Sequence, residues 1–260
     1  MTQPDKVRLD KLLVDQGLVD SREKAQALIL AGKVKVKGIP AQKAGMRVTV
    51  DDPVELTGKD HPYVSRGGVK LEGALRSFQL DVSGMVALDI GASTGGFTHC
   101  LLLHGARKVF AVDVGYGQLA WELRQDSRVV VMERTNIRGL STDALGEPVD
   151  LVVVDVSFIS IGKVLGEACR FLRKGGRILS LVKPQFEAGK EKVRRGGKVT
   201  DPEVHEQVLE DIRLMGEQFG LVLVGQDVSP IVGKKSGNIE FFTLWEWLGP
   251  QESQSNPNSV

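Results

Sequence analysis

The run Asp89-Ile90-Gly91-Ala92-Ser93-Thr94-Gly95-Gly96-Phe97 follows the apolar stretch Met85 to Leu88, and open α/β sheets bind their ligands just beyond strand ends of this kind. Glycines at 91, 95 and 96 let a backbone approach a ligand closely, and the helix start that follows can aim N–H groups at a carboxylate. The spacing is G-x-x-x-G-G and not the G-x-G-x-x-G that cradles a dinucleotide pyrophosphate. Asp113 ends the next apolar run about twenty residues on, where a carboxylate can take both hydroxyls of a ribose. A nucleoside that carries an amino-acid carboxylate and no phosphates fits both features. S-adenosylmethionine is such a molecule, and methyl transfer is its chemistry. Two more apolar runs end in charge: LVVVDVSFIS places Asp155 at one strand end, and LVKPQFE places Lys183 at another. Lys70, just after a glycine pair, and Glu240 in GNIEFF complete a Lys, Asp, Lys, Glu set from four separate segments.

The elements that must carry these residues alternate between strand and helix from about residue 68 to 248. MVALDIG, KVFAVDV, VVVMER, VDLVVVDV, GGRILSLVK, LVLVGQDVS and IEFFTLWEW read as seven strands. Strand-helix alternation implies an α/β, Rossmann-like, doubly wound and mostly parallel seven-stranded sheet, here with the last pair antiparallel. A helix from Gly68 buries Leu71, Ala74, Leu75 and Phe78. GKDHPYVSRGG, residues 58–68, reads as a linker. The preceding residues 1–57 form a separate small α+β module. Leu9, Leu12 and Leu13 mark a first helix; Asp20 and Glu23 make a capping box for a second, which buries Ala25, Leu28 and Ile29. KVKVKG, RVTV and VELT alternate as short strands. QESQSNPNSV at the C-terminus, within 249–260, has almost nothing to bury and reads as disordered.

RLDKLLVDQGLVDSREKAQALILAGKVKVKG resembles the alpha-L RNA-binding motif, which implies that residues 7–57 hold structured RNA. Up to Lys59 the chain has eleven basic and eight acidic residues, with Arg8, Lys11, Arg22, Lys24, Lys33, Lys35 and Lys37 around the two helices and first strand. DIGASTGGFT resembles the first motif of class I methyltransferases, which implies that Asp89 and the loop from Gly91 to Phe97 (Gly91, Ala92, Ser93, Thr94, Gly95, Gly96) lie against the methionine part of the cofactor. Asp113 would hold its ribose, Asn136 in ERTNIR would line the adenine pocket, and Asp155 would border the same site. With VSRGGVKLEGAL, DVGYGQLAWELR, DVSFIS, LVKPQFE and GNIEF in order, the whole chain resembles the hemolysin A family, the TlyA-type ribosomal RNA ribose methyltransferases related to FtsJ. That resemblance implies that Lys70, Asp155, Lys183 and Glu240 are the catalytic set for methylating a ribose 2′-hydroxyl, expected to be a cytidine's. Such a hydroxyl needs a proton acceptor and an in-line approach. Lys183 is expected at the centre, oriented by Asp155 and Glu240, with Lys70 either positioning the hydroxyl or lowering the proton affinity of Lys183. The loop from Lys183 to Lys198 holds six basic residues and two acids. Lys192, Arg194 and Arg195 there, with Arg66 in the linker, are expected to grip RNA phosphate.

Other classes of function lose support. The formal charge of +1 and the 42% hydrophobic content describe an ordinary globular chain. Cys100 and Cys169 lie far apart, with no Cys or His at metal-ligand spacing, so no metal site is expected and a reducing cytoplasm fits. A methyltransferase acting on a cytosine carbon would need a Cys thiolate, and neither cysteine sits in a strand-end motif. No apolar stretch approaches the roughly 20 residues of a membrane span, and the N-terminus lacks a signal-peptide pattern. A nicotinamide oxidoreductase is disfavoured by the loop spacing. An RNA-binding assembly factor on an inactive fold is disfavoured by the intact loop, Asp113 and four polar groups. The expected partners are ribosomal RNA or ribosomal subunits; nothing in the sequence fixes an oligomeric state.

Overall fold

The computed structural model describes residues 6–19, 21–57, 61–233 and 237–249, and the chain divides into two compact units, Met1–Pro62 and Tyr63–Val260. The expected capping residue Asp20 and the tail 250–260 lie outside the described residues.

The first unit runs β1 (Lys6–Arg8), α1 (Leu9–Asp15), α2 (Arg22–Leu30), β2 (Val34–Val36), β3 (Ile39–Pro40), β4 (Arg47–Thr49) and β5 (Val54–Leu56). β1 pairs with β4, and β2 lies between β3 and β5. The apolar spacing of the helices sends Leu9, Leu12, Leu13, Ala25 and Ile29 into one core with Val34, Val36 and Val48. Ser21 caps α2, its Oγ accepting from Lys24 N at 3.2 Å.

The second unit holds α3 (Arg66–Ser77), β6 (Val86–Ile90), α4 (Gly96–Leu103), β7 (Lys108–Val112), α5 (Trp121–Arg124), β8 (Val129–Met132), β9 (Val149–Val154), α6 (Gly162–Cys169), β10 (Leu172–Val182), α7 (Pro184–Glu187), α8 (Pro202–Gln218), β11 (Leu221–Val228) and β12 (Phe241–Trp247). The sheet order is β11-β12-β10-β9-β6-β7-β8. The five strands from β10 to β8 are parallel, and β12 runs antiparallel to both its neighbours. Period-two alternation decides the layers. Leu88, Val152, Val154 and Ile178 pack with Val164, Leu165, Val208 and Ile212 of α6 and α8. Ala87, Leu151, Val153 and Leu179 pack on the other face with Leu71, Leu75 and Leu101 of α3 and α4.

The second unit begins earlier than the glycine-rich stretch 58–68 suggests. Tyr63 is 1% exposed and α3 starts at Arg66, capped by Ser65 Oγ, which accepts from Gly67 N at 3.3 Å. Gly67 and Gly68 are poor helix formers, but contact explains them. A Cβ on Gly68 would lie 2.1 Å from Tyr63 Cγ, and one on Gly96 would lie 3.0 Å from Gly68 N. The glycines therefore let α3 and the start of α4 close on each other.

Candidate active site

Asp89 leaves β6 fully buried. Its Oδ2 accepts from Thr98 N at 2.9 Å and from Thr98 Oγ1 at 2.6 Å, which ties the strand to α4. Its Oδ1 is buried with no hydrogen-bond partner among the described residues. Burial pushes this carboxyl up to about 7, and the charges of Asp155 and Asp113 add to the rise against the Thr98 bonds. An orphaned buried acceptor is what a cationic ligand group would satisfy.

The glycines of the loop serve the protein's own packing. Gly91 has φ +88°, and a Cβ there would lie 2.6 Å from the Asp155 carbonyl oxygen; Gly95 has φ +94°, and a Cβ there would lie 2.3 Å from Leu123 Cδ1. Ala92 and Phe97 are buried as well, Phe97 stacking on Phe242 at 6.2 Å, so their side chains belong to the core and not to a ligand wall. Ser93 and Thr94 are the exposed members of the loop. Asp113 accepts from Ser93 N and from Gly115 N, both at 2.7 Å. Each of its oxygens keeps a further lone pair for a ribose hydroxyl. Asn136 is exposed and caps the turn Ile137–Gly139, its Oδ1 accepting from Arg138 N at 3.1 Å.

The four polar residues come together at the same end of the sheet as two ion pairs. Val182 faces Phe241 across the β10–β12 pair, so Lys183 and Glu240 are the next residues along the two strands. Lys183 pairs with Asp155 and donates to Val156 O at 2.9 Å and Ser157 Oγ at 3.0 Å. Lys70, one turn into α3, pairs with Glu240; Glu240 is buried and Lys70 partly so. Glu240 was expected to orient Lys183; its carboxylate instead holds Lys70, and Asp155 alone of the two acids reaches Lys183. Four segments thus supply two matched pairs of opposite charge, the arrangement in which buried charges are tolerated.

Sequence reasoning missed two neighbours of this site. Phe158 is 91% exposed with φ +65°, a conformation that costs a non-glycine residue about 1 kcal/mol or more, and its ring lies 5.1 Å from that of Phe186. The carboxylate of Glu187 accepts from Ile161 N at 2.9 Å, strapping the Phe158 loop to the segment that carries Lys183. No sequence pattern marks Phe158 as exposed, since its outward position goes with a left-handed backbone.

Burial pushes the thiols of Cys100 and Cys169 up to about 12, which removes them as nucleophiles. Among the described residues no group of three or more His, Cys, Asp or Glu is placed to hold a metal, and no helix is long and apolar enough to cross a membrane.

The cations expected to meet RNA are spread over both units. In the first, Arg8 and Arg22 converge with Gln26 on the fully buried Asp10 at 2.9–3.0 Å. The Arg8 guanidinium, with Gln26 and Arg22, holds that carboxyl well below the usual range. These two arginines therefore anchor the fold while keeping about half their side chains exposed. Lys11 pairs with Asp15 at 3.7 Å and Lys37 with Asp52 at 2.9 Å. Lys24 and Lys33 also have partners, and Lys35 sits mid-strand in β2. In the second unit Arg66 is exposed and reaches Val232 O at 3.4 Å. Lys192, at the end of a short 3₁₀ helix, and Arg194 and Arg195, on the tight turn that follows, are exposed.

Both units resemble known proteins. The FtsJ-like methyltransferase model matches residues 63–246, and the S4 domain model matches residues 7–54. The chain is 48% identical over 241 residues to the 16S/23S rRNA (cytidine-2′-O)-methyltransferase TlyA of Mycobacterium tuberculosis, covering 92% of this chain and 89% of that protein. It is 41% identical over 236 residues to Hemolysin A of Brachyspira hyodysenteriae, covering 90% and 98%. A solved structure from Streptococcus thermophilus that carries a hemolysin name superposes with a TM-score of 0.74 at 42% identity, covering 98% of this chain and 93% of that one.

Proposed function

The chain belongs to the FtsJ-like methyltransferases, in their hemolysin A and TlyA branch, and on that premise we propose that it transfers a methyl group from S-adenosylmethionine to the 2′-hydroxyl of a cytidine in ribosomal RNA. The observation that carries this reading is the pair of ion pairs, Lys70–Glu240 and Lys183–Asp155, at the strand ends beside the glycine loop and Asp113. A ribose hydroxyl is a weak nucleophile and needs a placed base. The cofactor supplies an electrophilic methyl on a sulfonium. Asp113 would hold its ribose, Ser93, Thr94 and the loop backbone would meet the methionine carboxylate, Asp89 Oδ1 would answer its positive charge, and Asn136 would border the adenine.

Lys183 sits where its three partners are all acceptors, so an ammonium there is held in one orientation. The ribose proton is taken up by the Lys183–Asp155 pair as the oxygen attacks. Lys70, fixed by Glu240, places the hydroxyl. Phe158 offers an exposed ring on which the target base stacks once it leaves its own strand. The S4 domain and the basic turn hold ribosomal RNA or a ribosomal subunit, and the protein works in the cytoplasm, where those substrates are.

The test is transfer of labelled methyl to ribosomal RNA followed by digestion to nucleosides. Label in 2′-O-methylcytidine is expected. Label on a base, or on no RNA despite cofactor binding, would overturn the reading.

A further inference from the structure

The exposed basic turn from Arg194 to Lys198 is tied to the protein on either side of Glu240. From this we infer that Asn238 is the positioning residue that keeps the turn in register with the catalytic ion pairs, so that a phosphate held by the turn sets where the ribose lies. The inference rests on the proposed function, in which that turn grips RNA phosphate.

The turn fixes its own shape. Gly196 and Gly197 reverse the chain at φ +87° and +77°, Arg194 N donates to Lys198 O at 2.8 Å, and Gly197 N donates to Arg194 O at 3.0 Å. Arg194, Arg195 and Lys198 are left exposed. None of these bonds fixes where the turn sits.

Asn238 does that. Its side chain is 3% exposed, its Oδ1 accepts from Val199 N at 3.1 Å, and its Nδ2 donates to Gly197 O at 2.7 Å. The carboxamide therefore bridges the two peptide groups that flank Lys198, much as a neighbouring strand would. Reversing the amide would set donor against donor, so the partners dictate its orientation. Val199 is gripped at its other end too, where its carbonyl oxygen lies 3.1 Å from His205 Nε2. The His205 ring meets Phe241 edge-on at 5.3 Å. Asn238 and Phe241 flank Ile239 and Glu240, and the Glu240 backbone is itself held by Ser229 N at 2.8 Å. Turn and catalytic carboxylate thus share one short, doubly held segment.

A buried amide costs stability unless both its ends are satisfied, and here the base of the turn is what satisfies them. Phosphate contacts position a nucleic acid without reading its sequence. A misplacement of about 1 Å at the reacting atoms can cost on the order of a hundredfold in rate. The link from Asn238 to Glu240 converts the first into the second.

The experiment compares the full-length protein with Asn238→Ala, Asn238→Asp and the triple variant Lys192→Ala/Arg194→Ala/Arg195→Ala. Binding to total ribosomal RNA is measured across a salt series, methyl transfer is measured in a single turnover at saturating RNA and cofactor, and hydrogen exchange is followed at the Val199 amide. Asn238→Ala keeps all the cations, so its affinity is expected within about threefold of wild type with the same salt slope. It loses Val199 protection, and its single-turnover rate falls by about tenfold or more. Asn238→Asp keeps the acceptor for Val199 N but sets an acceptor against Gly197 O, and falls in between; should the alanine variant not fold, this one carries the prediction. Loss of Val199 protection with an unchanged single-turnover rate overturns the inference. The underlying reading fails separately, through an unchanged salt slope in the triple variant.

Discussion

Asp89 has one carboxylate oxygen satisfied twice by Thr98 and the other by no partner among the described residues. An ordinary Asp titrates near 4, whereas burial pushes this one up to about 7. Between those values the folded chain keeps a proton that the unfolded chain releases. The contribution to stability is therefore full below about pH 4 and lost as pH rises through about 7. A cationic ligand group beside Oδ1 favours the carboxylate, so S-adenosylmethionine binding should release a proton and tighten as pH rises through about 7. Calorimetry in buffers of different ionisation enthalpy reads that proton, and Asp89→Asn should abolish both the release and the pH dependence. Phe158 gives a second residue-scale prediction. Stacking of a base on an aromatic ring contributes about 1–3 kcal/mol, so Phe158→Ala should slow transfer to RNA by roughly ten- to a hundredfold while cofactor affinity measured by calorimetry stays unchanged. Much of the site could be read in the sequence, because strand-end charges and a glycine loop announce themselves locally. Which lysine pairs with which acid could not: Lys70 and Glu240 lie 170 residues apart and meet only through the fold.

At the scale of elements, the central strands were legible because β6, β9 and the C-terminal half of β10 are buried on both faces and their apolar runs are nearly unbroken. The helix α3 was read from Gly68, but its first turn from Arg66 was not, since Gly67 and Gly68 speak against a helix when only propensity is weighed. Their reason is the close approach to Tyr63 and Gly96, which no local pattern encodes. Gly68→Ala follows as a test. A Cβ would meet three Tyr63 atoms at 2.1–2.6 Å, an overpacking that costs about 1–3 kcal/mol and outweighs the better helix propensity of alanine. Thermal unfolding should show a lower Tm, and the displaced α3 should weaken catalysis through Lys70. An unchanged or higher Tm would mean that Tyr63 moves aside freely.

Across the whole molecule, the proposed function divides RNA capture and methyl transfer between an S4 domain and a methyltransferase domain, each with its own core. Asp10 tests that division. Asp10→Asn weakens the buried acceptor shared by Arg8, Arg22 and Gln26, so it should destabilise the first unit and weaken RNA binding. Cofactor affinity by calorimetry should not change. The native carboxylate contributes its stability above its unfolded value near 4 and loses it as pH falls through the lower folded value, so acid unfolding of wild type should begin below about pH 4 and the variant should lack that step. Chemistry belongs to the other domain, and there Lys183→Ala gives the most direct test of the central claim, that paired charges at the strand ends activate a ribose hydroxyl. Single-turnover methyl transfer to ribosomal RNA should fall by about 10²–10⁴-fold, with RNA and cofactor affinities each within a few-fold of wild type. A single-turnover rate within about threefold of wild type, far short of what a placed base contributes, would contradict the account.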